Sequence, residues 1–258
     1  MADRPISDTP AANASAQGGS RLISRLLPPA VRLWLTSQVE HVEDLIFKLE
    51  GRDRQILSGY IPRVEVAARR AIYQGIHVSQ IAVQAEEIRV NLGQVLRGKQ
   101  LKLLAAFEVN GDLKLTEADL NTSLNSSLLE EGLYNFLTQL AAAEPEAAVL
   151  KAMLAACPDK TVHPYYDCDA KIETGVVTLK MIPRAGETLP PMTIATGLAI
   201  IEGRYLQLQN PQWLADGAFA PLPALQGFQL DLGPEVDLKY CTLTPGQMSL
   251  AGMVRVWP

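Results

Sequence analysis

The chain has 258 residues, 48% hydrophobic and 20% charged, which supplies a sizeable core and excludes a chain disordered by composition. A net charge of −5 and a pI near 5.3 give no general attraction to phosphate backbones and argue against nucleic acid as a partner. The three cysteines, Cys157, Cys168 and Cys241, show no disulfide spacing and read as reduced thiols.

Residues 1–20 are rich in Ala, Ser, Pro, Asn, Asp and Gly and read as a disordered tail without a signal-peptide pattern. No run of ~18 apolar residues occurs, so no membrane-spanning helix is expected. The expected location is cytoplasmic, or peripheral on the cytoplasmic face of a membrane.

Residues 21–39 form an amphipathic helical arm in this reading. Ser20 caps a first short helix, Pro28-Pro29 breaks it, and a second helix follows. The arm carries Arg21, Arg25 and Arg32 and no acid, beside Leu22, Leu26, Leu27 and Trp34. Cations with leucines and a tryptophan suit a membrane interface, where each arginine gains ~1 kcal/mol from anionic headgroups. The same periodicity fits a helix packed on its own core equally well.

From 42 to 92 the pattern is strand-like, a meandering antiparallel sheet. Val78, Ile81 and Ile88 change parity, and each change predicts a turn or bulge between short strands. Leu101, Leu103, Phe107, Val109, Leu113 and Leu115 share one parity. They read as one long strand with Gly111 at a bend rather than a hairpin through Asn110-Gly111-Asp112. Thr116-Glu117-Ala118-Asp119 resembles a capping box and opens a long amphipathic helix through Leu120, Leu124, Leu128, Leu133, Phe136, Leu137 and Leu140. A second, Ala-rich helix is predicted over 145–156. Strands are predicted over 171–182, 192–209, 227–232, 236–243 and 248–256, with loops at 183–191 and 210–223.

No motif for chemistry emerges. There is no Gly-x-Ser-x-Gly elbow, P-loop or dinucleotide fingerprint, and Glu86-Glu87 and Glu130-Glu131 are sequence neighbours rather than facing pairs. Cys157, His163, Asp167, Cys168 and Asp169 match no structural zinc spacing. No catalytic residue, metal or cofactor is assigned. An enzyme site around 163–169 is a rival reading, as is a protein-interaction module whose apolar arm docks a protein.

The pieces Leu57-Ser-Gly-Tyr-Ile-Pro-Arg-Val64, Tyr73-Gln-Gly-Ile-His-Val-Ser-Gln-Ile81, Ile88-Arg-Val-Asn-Leu92, Leu115-Thr-Glu-Ala-Asp-Leu-Asn121 and Leu250-Ala-Gly-Met-Val-Arg-Val256 occur in that order. Together they resemble the LmeA-like phospholipid-binding family, particularly its cyanobacterial members. The resemblance implies an α+β fold over 40–258, similar to tubular lipid-binding domains, with a long curled antiparallel sheet wrapped around a long helix. It implies a non-enzymatic phospholipid binder, peripheral to a membrane, holding acyl chains between sheet and helix. On this likeness the wrapped helix begins near Glu117, and Leu120, Leu124, Leu128 and Phe136 line the groove. Exported members of the family carry a signal or anchor that this chain does not show.

Overall fold

β-Branched and aromatic residues in alternation favour extended backbone, and most of the chain answers with strands. The computed structural model describes residues 39–95, 97–143, 151, 154–155, 162, 164–187, 189, 191–215 and 217–258. The expected tail, and the expected arm apart from Val39, lie outside these residues, as does most of the predicted helix over 145–156.

Sheet one has six strands: β1 (His41–Glu50), β2 (Tyr60–Tyr73), β3 (Ile76–Arg89), β4 (Phe107–Thr116), β11 (Val236–Thr244) and β12 (Gln247–Val256). Their order is β1-β2-β3-β4-β12-β11. Sheet two comprises β5 (Tyr166–Glu173), β6 (Val176–Pro183), β7 (Met192–Ile201), β8 (Tyr205–Ala215) and β10 (Gln229–Asp231), in the order β10-β8-β7-β6-β5, and β9 (Ala218–Pro221) pairs with β8. All pairings are antiparallel and neither sheet closes on itself. The sheets meet at β11, where Leu238 N donates to Gly203 O at 2.6 Å and Gly175 N donates to Leu243 O at 3.1 Å.

The parity changes in 76–92 do not mark turns. β2 and β3 form one long hairpin of 14-residue strands. The register is continuous from Tyr73↔Ile76 to Tyr60↔Arg89, passing over only Arg70/Ser79 and Pro62/Glu87. Arg70 (φ 47°) and Glu87 (φ 55°) are left-handed. Each sits where the buried set changes parity, from Ala68 to Ala71 in β2 and from Ala85 to Ile88 in β3. A left-handed residue inside a strand re-aims the side chains beyond it, so one face stays apolar across a change of phase. β1 is less regular, with left-handed Asp44 (φ 47°) and two register shifts within ten residues.

β4 runs straight through Asn110-Gly111-Asp112, as the shared parity predicts, but starts only at Phe107; upstream, Leu103 makes an isolated bridge to Val90. The predicted strand near Ile56 is instead the short helix α1 (Asp53–Leu57), and a second short helix, α2, spans Leu92–Val95. The predicted strands over 171–182 and 192–209 are each a hairpin, and the predicted loop over 210–223 contains the end of β8 and all of β9.

The long helix predicted from Glu117 is two helices, α3 (Glu117–Ser123) and α4 (Ser127–Ala143). Between 121 and 127 the chain reads Asn-Thr-Ser-Leu-Asn-Ser-Ser, side chains that compete for backbone hydrogen bonds. Ser123 Oγ bonds Asp119 O at 2.7 Å, and Ser126 Oγ accepts from Leu129 N at 3.3 Å as α4 restarts. The capping box is present: Thr116 Oγ1 accepts from Asp119 N, and Asp119 accepts from Thr116 N.

Two buried clusters result. One packs α4, through Leu137, Leu140 and Ala141, on Tyr166, Met181 and Ile194 of sheet two. The other packs Ile56 and Leu92 on Ile61, Val64, Ala85 and Ile88 of sheet one.

Candidate functional site

Residues paired across an antiparallel sheet share a face, so the register alone sorts sheet one into two surfaces. One row crosses all six strands as Leu49, Val64, Ala85, Val109, Val254 and Val236. The next row on that face is Phe47, Val66, Val83, Gly111, Gly252 and Leu238. A third crosses five strands as Ala68, Ile81, Leu113, Leu250 and Cys241. Every position is apolar, glycine or cysteine. A row on the opposite face reads Lys48, Glu65, Gln84, Asn110, Met253 and Asp237.

The α1–α2 cluster covers only part of the apolar face, reaching Phe47, Leu49, Val66 and Val109. Ile81, Val83, Leu113, Leu238 and Leu250 are half-buried and belong to neither cluster. Val254, on β12 in the first row, is 43% exposed. The face has one tight crease. A β-carbon at Gly252 would lie 2.5 Å from Asp237 O and 2.6 Å from Leu238 Cα, and one at Gly111 would lie 2.5 Å from Val83 Cγ1. Gly252 pairs with Leu238 beside a register shift in β11. Paired glycines next to a bulge permit a close approach that side chains forbid.

The other face of sheet one is mixed: the row Ile46, Ala67, Ala82, Asp112, Ala251 and Tyr240 is largely apolar, and ion pairs lie beside it. Arg63 Nη2 donates to Glu65 Oε1 at 2.9 Å and Gln84 Oε1 at 2.6 Å, and Arg255 Nη2 donates to Glu108 Oε1 at 2.7 Å. It carries a depression of about 720 Å³ bordered by Tyr60, Glu86, Arg89, Glu108, Arg255 and Trp257. Acyl chains have no partner among these charges, so the face of the three apolar rows is the better candidate.

α3 braces the arrangement. Its positions 119 and 123 hold β3: Ser79 Oγ bonds Asp119, and Ser123 Oγ accepts from His77 N at 2.8 Å. Its positions 117 and 121 hold β5: Glu117 Oε2 accepts from Ile172 N at 2.9 Å, and Asn121 exchanges two hydrogen bonds with the backbone of Ala170, at 2.8 and 2.6 Å. β5 is the edge of sheet two, and these side chains take the place of a further strand. Burial raises the Asp119 carboxyl, but hydrogen bonds from Ser79 and Thr116 outweigh it and hold the group below its ordinary value. The motif Leu115-Thr-Glu-Ala-Asp-Leu-Asn121 thus joins the two sheets.

Among the other groups, Leu120 and Leu124 are half-buried on α3 and at its C-terminal cap. Leu128 opens α4, and its side chain lies outside the described residues. Phe136 packs in the α4 cluster, edge-on to Phe228 with centroids 5.6 Å apart. Arg21, Leu22, Arg25, Leu26, Leu27, Arg32 and Trp34 lie outside the described residues, as do Cys157 and His163. Among the described residues no group of His, Cys, Asp and Glu is arranged to hold a metal ion. Burial pushes the Cys168 and Cys241 thiols up to about 11 and the Tyr166 hydroxyl up to about 12. Neutral thiols on an apolar wall behave as small hydrophobes. The rows themselves escape sequence reasoning. The parity of β4 is legible, but the partners that complete each row come from other strands.

A family model of LmeA-like phospholipid-binding proteins matches residues 18–253. The chain belongs to the LmeA-like phospholipid-binding family. No curated protein and no solved structure matches it. The match takes in α3, α4 and both sheets except the last three residues of β12, so the family's sequence pattern covers the apolar rows apart from Val254, and the helix that braces them. Among the described residues of this LmeA-like chain, no helix is long and apolar enough to cross a membrane.

Proposed function

We propose that this LmeA-like protein holds phospholipid acyl chains on the apolar face of sheet one, without catalysis, at the surface of a membrane. The observation that carries the reading is the set of three apolar cross-strand rows, most of whose positions belong to neither buried cluster. Ten methylenes laid against such a surface gain about 8 kcal/mol, with no polar constellation needed for the tails. The crease at Gly111 and Gly252 supports a sheet that curls around its ligand in the manner of tubular lipid-binding domains.

Two features support contact with a bilayer. The arm at 21–39 combines three arginines with leucines and Trp34. The β8–β9 hairpin exposes Trp213 (42%), Leu214 (43%) and Phe219 (48%), aromatic and aliphatic groups suited to the headgroup boundary.

Lipid extraction and mass spectrometry of natively purified full-length protein test the reading. Phospholipid should co-purify, and Leu113→Gln on the apolar face should lose it while Lys114→Gln on the mixed face retains it. Lipid-free wild-type protein, or equal retention by both variants, refutes the assignment.

A further inference from the structure

β3 and β4 pair from Gln80↔Lys114 to Ala85↔Val109 and then part. The two stretches meet again where Leu104 N donates to Arg89 O at 2.8 Å, beside the bridge from Val90 to Leu103. The depression of about 720 Å³ on the mixed face opens between these points, and residues of both stretches border it. We propose that it recognises a zwitterionic phospholipid headgroup at a bilayer surface, with Arg89 on the phosphate and Glu87 on the ammonium. That the ligand is a phospholipid rests on the reading above; the charges and apolar groups that mark the site do not.

The charges of the border select the headgroup. Of its three carboxylates, Glu108 is taken by Arg255 at 2.7 Å, and Glu86 has Arg63 at 3.8 Å. Glu87 and Arg89 are left as one anion and one cation with no ion-pair partner among the described residues. Left-handed Glu87 (φ 55°) sits at the break in the β3 register, where a bulge sets its side chain on the border. The Arg89 guanidinium lies over the Tyr60 ring, 5.5 Å from its centroid, a placement that leaves its N–H fork for a phosphate. Two unpaired charges of opposite sign match a phosphate and an ammonium on one headgroup. Three carboxylates against two guanidiniums give the border a net charge of −1, which disfavours a purely anionic headgroup.

The apolar groups select a bilayer over a free phosphodiester. Leu104, 60% exposed, and Trp257, 59% exposed, are the two most exposed large apolar side chains among the described residues. Trp257 borders the depression, and Leu104 is joined to Arg89 through the backbone. A soluble headgroup gives such side chains nothing to bury against. A bilayer does, since tryptophan and leucine enter the interfacial layer while the charges between them meet the headgroups. The indole face also attracts an ammonium group.

Vesicle flotation of the full-length protein tests the site. One set of vesicles is phosphatidylcholine and phosphatidylethanolamine in equal parts, and the other is phosphatidylglycerol alone. Arg89→Gln should reduce binding to the zwitterionic vesicles about tenfold, and Glu87→Gln about threefold, with binding to phosphatidylglycerol not reduced by either. Trp257→Ser should reduce binding to the zwitterionic vesicles about tenfold. All three side chains are exposed, and unchanged thermal melts should show that the variants fold. A wild-type protein that does not float with zwitterionic vesicles overturns the site, as does an Arg89→Gln variant that floats as well as wild type. An equal loss on both vesicle types overturns the zwitterionic assignment. Co-purified lipid without flotation refutes this site and leaves the acyl-chain reading standing. Arg89-dependent flotation of protein that carries no lipid does the reverse.

Discussion

Replacing Asn121 by Ala tests whether α3 is the brace between the sheets. The Asn121 amide gives and takes one hydrogen bond each with the backbone of Ala170, at 2.8 and 2.6 Å, and Ala170 is only 3% exposed. These two backbone groups of Ala170 meet Asn121 where an inner strand would meet its next neighbour. Truncation leaves a buried N–H and a buried C=O without that partner, at about 1–3 kcal/mol each. Alanine returns up to about 0.7 kcal/mol of helix propensity. The net loss should be about 2 kcal/mol, or about 4–8 °C in Tm for a chain of this size. Urea titration measures the first, and hydrogen exchange at the Ala170 amide shows where the loss falls. A loss under about 0.5 kcal/mol, or unchanged protection at Ala170, refutes the bracing role.

Asp119, held below its ordinary value of 3.8, stabilises the fold above that pH, and the contribution disappears as pH falls through the lower folded-state value. Thermal melts below pH 3.8 should therefore fall less steeply for Asp119→Asn than for wild type. Gly252→Ala should cost about 1–3 kcal/mol in urea titrations, because its β-carbon meets backbone atoms of Asp237 and Leu238 that cannot swing aside. With thiols raised to about 11, Cys168 and Cys241 should resist alkylation at neutral pH in the folded protein and react on unfolding. Mass mapping of the modified peptides reads this directly.

The antiparallel meander, the capping box at Thr116–Asp119 and the family were legible in the residues, because each depends on local alternation or on a short contiguous pattern. The break between α3 and α4 was signalled by Asn and Ser around Leu124, but the leucine spacing continues across it and masks the signal. The hairpin turns at Gly175 and Gly203 are short breaks, Thr174-Gly175 and Glu202-Gly203, between apolar runs, which alternation alone reads through. In β3 the parity changes were visible and their cause was not; the matching change in β2 was not read. Left-handed Arg70 and Glu87 are bulky residues that no propensity places there. The apolar rows depend on which strands are neighbours, and β12, some 140 residues after β4, is out of reach of any local window.

The irregularity of β1 has a consequence for how copies of this protein behave together. β1 is an outer edge of a sheet with one apolar face, a form that invites another strand to add alongside it and build a growing ribbon. Such growth needs a run of evenly spaced donors and acceptors. Two register shifts and a left-handed Asp44 interrupt that run, and charged Glu43 and Lys48 flank it. An incoming strand finds only Ile46–Glu50 in regular register. The protein can thus keep an apolar sheet face while its nearest edge is a poor template for polymerisation.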